Sequence, residues 1–110
     1  MKEIKALIRA SQKSDVLHAL HQNPNLPGVT VSDITGFGRV VGRDTQAGPR
    51  FDSVKMCKLE CIIPDSLVAE VVGIIQQAAH TGHPGDGKIA IIPIDELVRI
   101  RTNERIAESL

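Results

Sequence analysis

Apolar and polar residues alternate along this chain with two different periods, and the switches between them outline its elements. Residues 2–9, Lys-Glu-Ile-Lys-Ala-Leu-Ile-Arg, read as a short strand rich in β-branched side chains. Ser11 can cap a helix whose apolar face is Val16, Leu17 and Leu20, with His18 and His21 three apart on it. Asn23-Pro24 should end that helix, and residues 24–28 form a loop. Residues 29–35 alternate with period two, as in a strand exposed on one face, and Gly36-Phe37-Gly38 punctuates its end. From Arg39 to Ser53 no period holds, and Gly42, Gly48 and Pro49 interrupt the run, so a long, polar, mobile loop is expected. Residues 54–63 return to strand, with Cys57, Leu59, Cys61 and Ile63 on one face.

Pro64-Asp65 should open a second helix, with Asp65 as its cap. Leu67, Val68, Val71, Val72, Ile75, Ala78 and Ala79 form its apolar stripe. Residues 81–87 must be a loop, 88–94 a strand, and 97–101 a further short strand or extended tail. Residues 103–110 read as a weak terminal helix or a frayed end. The order β-α-β-loop-β-α-β predicts an α+β, ferredoxin-like fold, βαββαβ, with an antiparallel sheet and both helices on one of its faces. One domain spans 1–110, with a flexible segment at about 39–54, a tail at about 95–110 and no internal repeat.

Composition narrows the function. Lys plus Arg total 13 and Asp plus Glu total 13, so the net charge is zero. A general nucleic-acid binder would carry a basic surplus to neutralise phosphates. The only aromatic residues are Phe37 and Phe51, too few for base-stacking platforms. No apolar run approaches the roughly 18 residues that cross a bilayer, and the opening residues lack an apolar signal core. A cytoplasmic protein that does not insert into membranes is expected, with Cys57 and Cys61 as reduced thiols packed in the core.

Three stretches could carry chemistry. Thr81-Gly-His-Pro-Gly-Asp-Gly-Lys88 places three glycines in seven residues and then a lysine. Such a loop can present backbone N–H groups to a phosphate, although it lacks the Walker spacing, and a plain turn would read the same way. Arg99-Ile-Arg101, in a strand, would point both guanidinium groups to one side, either gripping one polyanion or simply decorating a solvated edge. Gly36-Phe-Gly-Arg39 leads into the long loop, which carries Arg39, Arg43, Arg50, Lys55 and Lys58 against Asp44 and Asp52 over residues 39–58. His80 and His83 make an H-x-x-H pair, but no fourth metal ligand is evident. No Ser-His-Asp or paired-carboxylate arrangement is readable, so no enzyme is expected.

Together these stretches resemble the P-II family of nitrogen regulatory signalling proteins. The resemblance rests on four elements in order: the opening strand, Val29–Arg39, Thr81–Ile89 and Val98–Thr102. It implies a homotrimer that binds ATP or ADP, with or without Mg²⁺ and with no redox cofactor, in clefts between subunits. Carried onto this chain, the nucleotide site comprises Gly36, Phe37, Gly38, Arg39, Glu60, Gly85, Asp86, Gly87 and Lys88. Arg99 and Arg101 would reach the phosphates from the neighbouring subunit. The long loop corresponds to the family's partner-docking T-loop, and a membrane transporter or metabolic enzyme is the partner class implied.

The chain departs from the nitrogen-sensing members in three ways. Val40 stands where the resemblance places a Mg²⁺-ligating Gln, and an aliphatic side chain has no oxygen to offer a hard cation. Met56 aligns with a Lys that meets 2-oxoglutarate, although Lys55 is adjacent. The loop is about three residues shorter in this alignment and has no Tyr to uridylylate. The expected function is therefore nucleotide-dependent regulation of a partner, extending to nitrogen regulation. The rival is a metal-responsive trimer of the same fold, linked to heavy-metal efflux, in which Cys and His side chains hold a soft ion.

Overall fold

The structure is a computed structural model that describes residues 1–40 and 50–106. Eight strands and helices follow in order: β1 Lys2–Arg9, α1 Lys13–His21, β2 Thr30–Val40, β3 Arg50–Ile63, α2 Val68–Ala79, β4 Gly87–Pro93, β5 Leu97–Val98 and β6 Arg105–Ile106. The first four strands form one sheet in the order β2-β3-β1-β4, with every adjacent pair antiparallel. This is the expected α+β, ferredoxin-like arrangement.

Alternation along the two central strands fixes which face is buried. Ile4, Ala6 and Ile8 of β1 and Cys57, Leu59, Cys61 and Ile63 of β3 point to the helices. Val16 and Leu20 of α1 and Val71, Ile75 and Ala79 of α2 complete the same core. The two thiols lie in this layer, and burial raises both above the ordinary thiol range. The opposite face carries Glu3, Lys5 and Arg9 beside Met56, Lys58 and Glu60, all half-buried within the single chain.

Several boundaries differ from the sequence pattern. Neither Ser11 nor Asp65 caps a helix: each lies in a short 3₁₀ turn, Ala10–Gln12 or Asp65–Leu67, that leads into the helix proper. Asp65 instead meets Lys2 at 3.3 Å and the chain's amino terminus at 2.9 Å. β2 does not stop at Gly36-Phe37-Gly38 but continues to Val40, and β3 begins at Arg50, four residues before Val54. The pairing runs unbroken from Thr30↔Glu60 to Val40↔Arg50. β1, however, accompanies β3 only as far as Arg9↔Met56. Among the described residues, none of the buried core lies on the β2–β3 ribbon beyond that point, so burial imposes no period-two apolar pattern there. Residues 41–49, the centre of the expected loop, lie outside the described residues.

The tail differs as well. Residues 97–106 form a hairpin, with Leu97↔Ile106 and Val98↔Arg105 paired, so the expected strand or extended tail over 97–101 stops at Val98, and residues 103–106 turn back to pair with it where a weak helix or frayed end is expected to begin. Asn103 turns the chain at φ 58°, a left-handed conformation that Asn tolerates better than most residues. The Arg99 amide donates to the Glu104 carbonyl at 2.9 Å, and the Asn103 amide donates to the Arg99 carbonyl at 2.8 Å. Ile106 is buried and anchors the hairpin. Residues 107–110 lie outside the described residues.

Candidate functional site: a clipped glycine loop and two recesses

The loop between α2 and β4 is shaped by one carboxylate. Asp86 Oδ2 accepts the backbone N–H groups of Thr81 (2.8 Å) and Gly82 (2.9 Å). Its Oδ1 accepts the Thr81 hydroxyl and, at 2.9 Å, Nε of Arg9. The second guanidinium arm of Arg9, Nη2, donates to the Pro84 carbonyl at 2.7 Å. The His83 amide closes the turn on Thr81 Oγ1 at 3.2 Å. Led by the bonds from Thr81, and with Arg9 and Gly82 adding to them, these donors hold the Asp86 carboxyl well below the usual carboxylate range.

This network sorts the loop's amides. Those of Thr81, Gly82 and His83 are taken internally, and Pro84 has none. An anion at this loop must therefore use the amides of Gly85, Asp86 and Gly87 together with the Lys88 ammonium, because from Lys88 the backbone enters the β1–β4 ladder. The Asp86 side chain is turned into the loop, so its contribution to such a site is the shape of the backbone. Gly82, Gly85 and Gly87 all have positive φ, and Gly87 packs directly on the Leu7 carbonyl. Asp86, Gly87 and Lys88, with Ile8, Ile75, Gln76, Ala79, His80 and Ile89, line a recess of about 390 Å³ behind the loop.

The clip ties stability to pH with a definite sign. A carboxyl depressed in the folded state stabilises it fully above the unfolded-state pKa, near 4, and loses that contribution as the pH falls toward the folded value. Asp86→Asn should therefore lower stability at pH 7, and the gap from the parent should close progressively below about pH 4. Urea midpoints of both proteins at pH 7 and pH 3 measure it. A gap that stays constant over that interval would remove the ionised clip from the account.

A second recess, of about 470 Å³, lies elsewhere on the sheet and is lined by Glu3, Gly28, Thr30, Glu60, Cys61, Ile62 and Leu97. Glu60 stands there 3.5 Å from Lys58 on the same strand. The two recesses share no lining residue, so one chain does not bring Glu60 to the glycine loop. Gly36, Phe37, Gly38 and Arg39 all lie on the β2 ribbon, opposite Val54, Ser53, Asp52 and Phe51 of β3. A Cβ on Gly36 would meet Met56 Cγ at 3.3 Å, whereas one on Gly38 would meet nothing within 4 Å. Phe37 is largely exposed.

Arg99 and Arg101 sit in the β5–β6 turn, not in a strand, so alternation does not align their side chains. Arg99 Nε lies 3.6 Å from Glu104 Oε2. The residue whose side chain reaches the loop from another element is Arg9, the last of the opening strand, to which the sequence assigns no role in the site. Its signal is register alone: Ile8 pairs with Gly87, placing the next residue of β1 beside the loop.

The soft-ion alternative finds no convergent ligands. Among the described residues, no three of the His, Cys, Asp and Glu side chains are grouped to hold a metal. His18 and His21 border one recess at the end of α1, and His80 borders another by Gly87. Cys57 and Cys61 are in the core. Among the described residues no helix is long and apolar enough to cross a membrane.

Residues 1–104 match the family described as "Nitrogen regulatory protein P-II". Proteins with that same name from Azospirillum brasilense and Rhodospirillum rubrum are each 41% identical to this chain over the full length of both sequences. The one from Synechocystis is 38% identical, again over all of both chains. A match from end to end, over a fold with the expected strand order and a glycine loop in the expected place, makes this chain a member of the nitrogen regulatory protein P-II family.

Proposed function

We propose that the protein is a cytoplasmic, non-enzymatic regulator that binds ATP or ADP in clefts between the subunits of a homotrimer and controls a partner protein. The observation that carries this reading is the glycine loop. Its first three available amides are consumed by its own side chains, the Lys88 amide belongs to the β1–β4 ladder, and what remains for an anion is the short run of amides at Gly85, Asp86 and Gly87 beside the Lys88 ammonium. Phosphate is the ligand chemistry such a row suits. The separation of this loop from the Thr30–Glu60–Ile62 recess argues for assembly, because a nucleotide using both features needs surfaces from two chains. The half-buried charged face of the sheet and its edge strands gain cover in the same step. Output to a transporter or metabolic enzyme runs through the segment joining β2 and β3, and differential affinity for the two nucleotides supplies the switch.

2-Oxoglutarate is the effector this chain is built to bind weakly. Val40 has no oxygen for the metal, and Met56 has no cation for the acid. Lys55 does not replace Met56: alternation along β3 places the two side chains on opposite faces of the strand. Calorimetry with ATP, ADP, AMP and 2-oxoglutarate, with and without Mg²⁺, tests the reading, and light scattering fixes the assembly. ATP and ADP should bind more tightly than about 1 mM, roughly −4 kcal/mol, and 2-oxoglutarate more weakly than either. Nucleotide affinities all weaker than millimolar would remove the proposal. A micromolar 2-oxoglutarate isotherm with Mg-ATP present would overturn the second part alone.

A further inference from the structure

We propose that Arg9 is the positioning residue of the glycine loop: from the end of β1 it clamps the loop at two points and so sets the shape in which the amides of Gly85, Asp86 and Gly87 are offered to phosphate. This rests on the nucleotide-binding reading and deepens it. The two clamped points, the Pro84 carbonyl (2.7 Å) and Asp86 Oδ1 (2.9 Å), flank Gly85. Gly85 itself sits at φ +94° under the guanidinium, where an added Cβ would lie 3.5 Å from Nη2. A planar fork with several fixed donors can hold two acceptors set this far apart along the chain. A lysine ammonium is a point charge on a flexible stem and cannot fix both.

Charge gives Arg9 a second task. Asp86 is held ionised beside the place where an anion would dock. Unmatched, that carboxylate would repel phosphate; with Arg9 at 2.9 Å the pair is close to neutral. Arg9 comes from a different element than the rest of the network, since Thr81, Gly82 and Asp86 all belong to the loop. It therefore adds a side-chain link between the loop and the sheet, beside the backbone contact of Gly87 with Leu7. β1 is the strand between β3 and β4, and Arg9 itself pairs with Met56 of β3.

The alternative role for Arg9 is direct contact with the ligand, and two substitutions separate the possibilities. Arg9→Met and Arg9→Lys are compared with the parent by amide hydrogen exchange without ligand and by ADP titration. Circular dichroism and light scattering check the fold and assembly. The positioning role predicts that both variants accelerate exchange of the Thr81 and Gly82 amides in the ligand-free protein by about tenfold or more, that ADP binding weakens by a similar factor, and that lysine does not rescue. If exchange is unchanged in both variants, or Arg9→Lys restores parental exchange and affinity, Arg9 is not the clamp. If the parent binds no ADP while both variants loosen the loop, the nucleotide reading falls and the clamp stands.

Discussion

Gly87→Ala should unfold or severely destabilise the protein, by about 2–6 kcal/mol if backbone strain and overpacking add. A Cβ at this position would lie 1.8 Å from the Leu7 carbonyl oxygen and 2.8 Å from its carbon, both backbone atoms of β1. No rotamer change relieves such a contact, and the strands can separate only by breaking the β1–β4 ladder at Ile8↔Gly87. The conformation adds its own cost, because φ +103° is outside the range an alanine adopts without strain. A typical domain has only about 5–15 kcal/mol of stability to lose. Gly28→Ala is the matched control: an added Cβ there meets nothing within 4 Å, and its φ is ordinary. Urea denaturation of both variants should show a large fall in midpoint for Gly87→Ala and little change for Gly28→Ala. Equal midpoints would mean that β1 and the loop do not approach as closely as described.

This position shows how far the sequence could be read. The glycines of Thr81–Gly87 announce a loop with special backbone needs, and a phosphate nest explains them as well as anything visible in one dimension. The structure divides their work. Gly87 is a packing requirement imposed by β1, while Gly85 lies beneath Arg9. Strand partners are invisible in local sequence, so Leu7 and Arg9 could not be connected to the loop before the β1–β4 register was known. The same limit accounts for the β2–β3 ribbon, where hydrogen bonding continues after the apolar pattern has ended. It accounts for the C-terminal hairpin too, where the signal was present but faint: Thr102-Asn103 is a turn-prone pair, and Asn103 takes the left-handed conformation. What did read correctly was read from burial. Cys57, Leu59, Cys61 and Ile63, and the stripe of α2, face one core as their periods predicted, and period follows core contact.

Arg101→Ala is expected to weaken ATP and ADP binding by roughly 1.5–3 kcal/mol, about ten- to more than a hundredfold, while leaving the fold intact. Arg101 is exposed in the β5–β6 turn and contributes nothing to the core. The hairpin that carries it is held by other means: the buried Ile106, the Leu97↔Ile106 pair and the Arg99–Glu104 backbone bond. Arg99 lies 3.6 Å from Glu104, which offsets part of its charge inside the turn. Among the described residues no such ion pair involves Arg101, so its charge is the better one to offer a phosphate from another subunit, and Arg99→Ala should cost less. Arg105→Ala supplies a control with the same change in net charge, on a residue of the same hairpin that is paired with Glu96. The three variants are to be titrated with ATP and ADP at low and at physiological salt. The order Arg101→Ala, Arg99→Ala, Arg105→Ala, from largest loss to least, is the expected result. Equal losses in all three would mean that the hairpin acts only through diffuse charge, screened over a Debye length of about 8 Å at physiological salt. Parental affinity in Arg101→Ala would remove the hairpin from the nucleotide site and leave the glycine loop to bind phosphate alone.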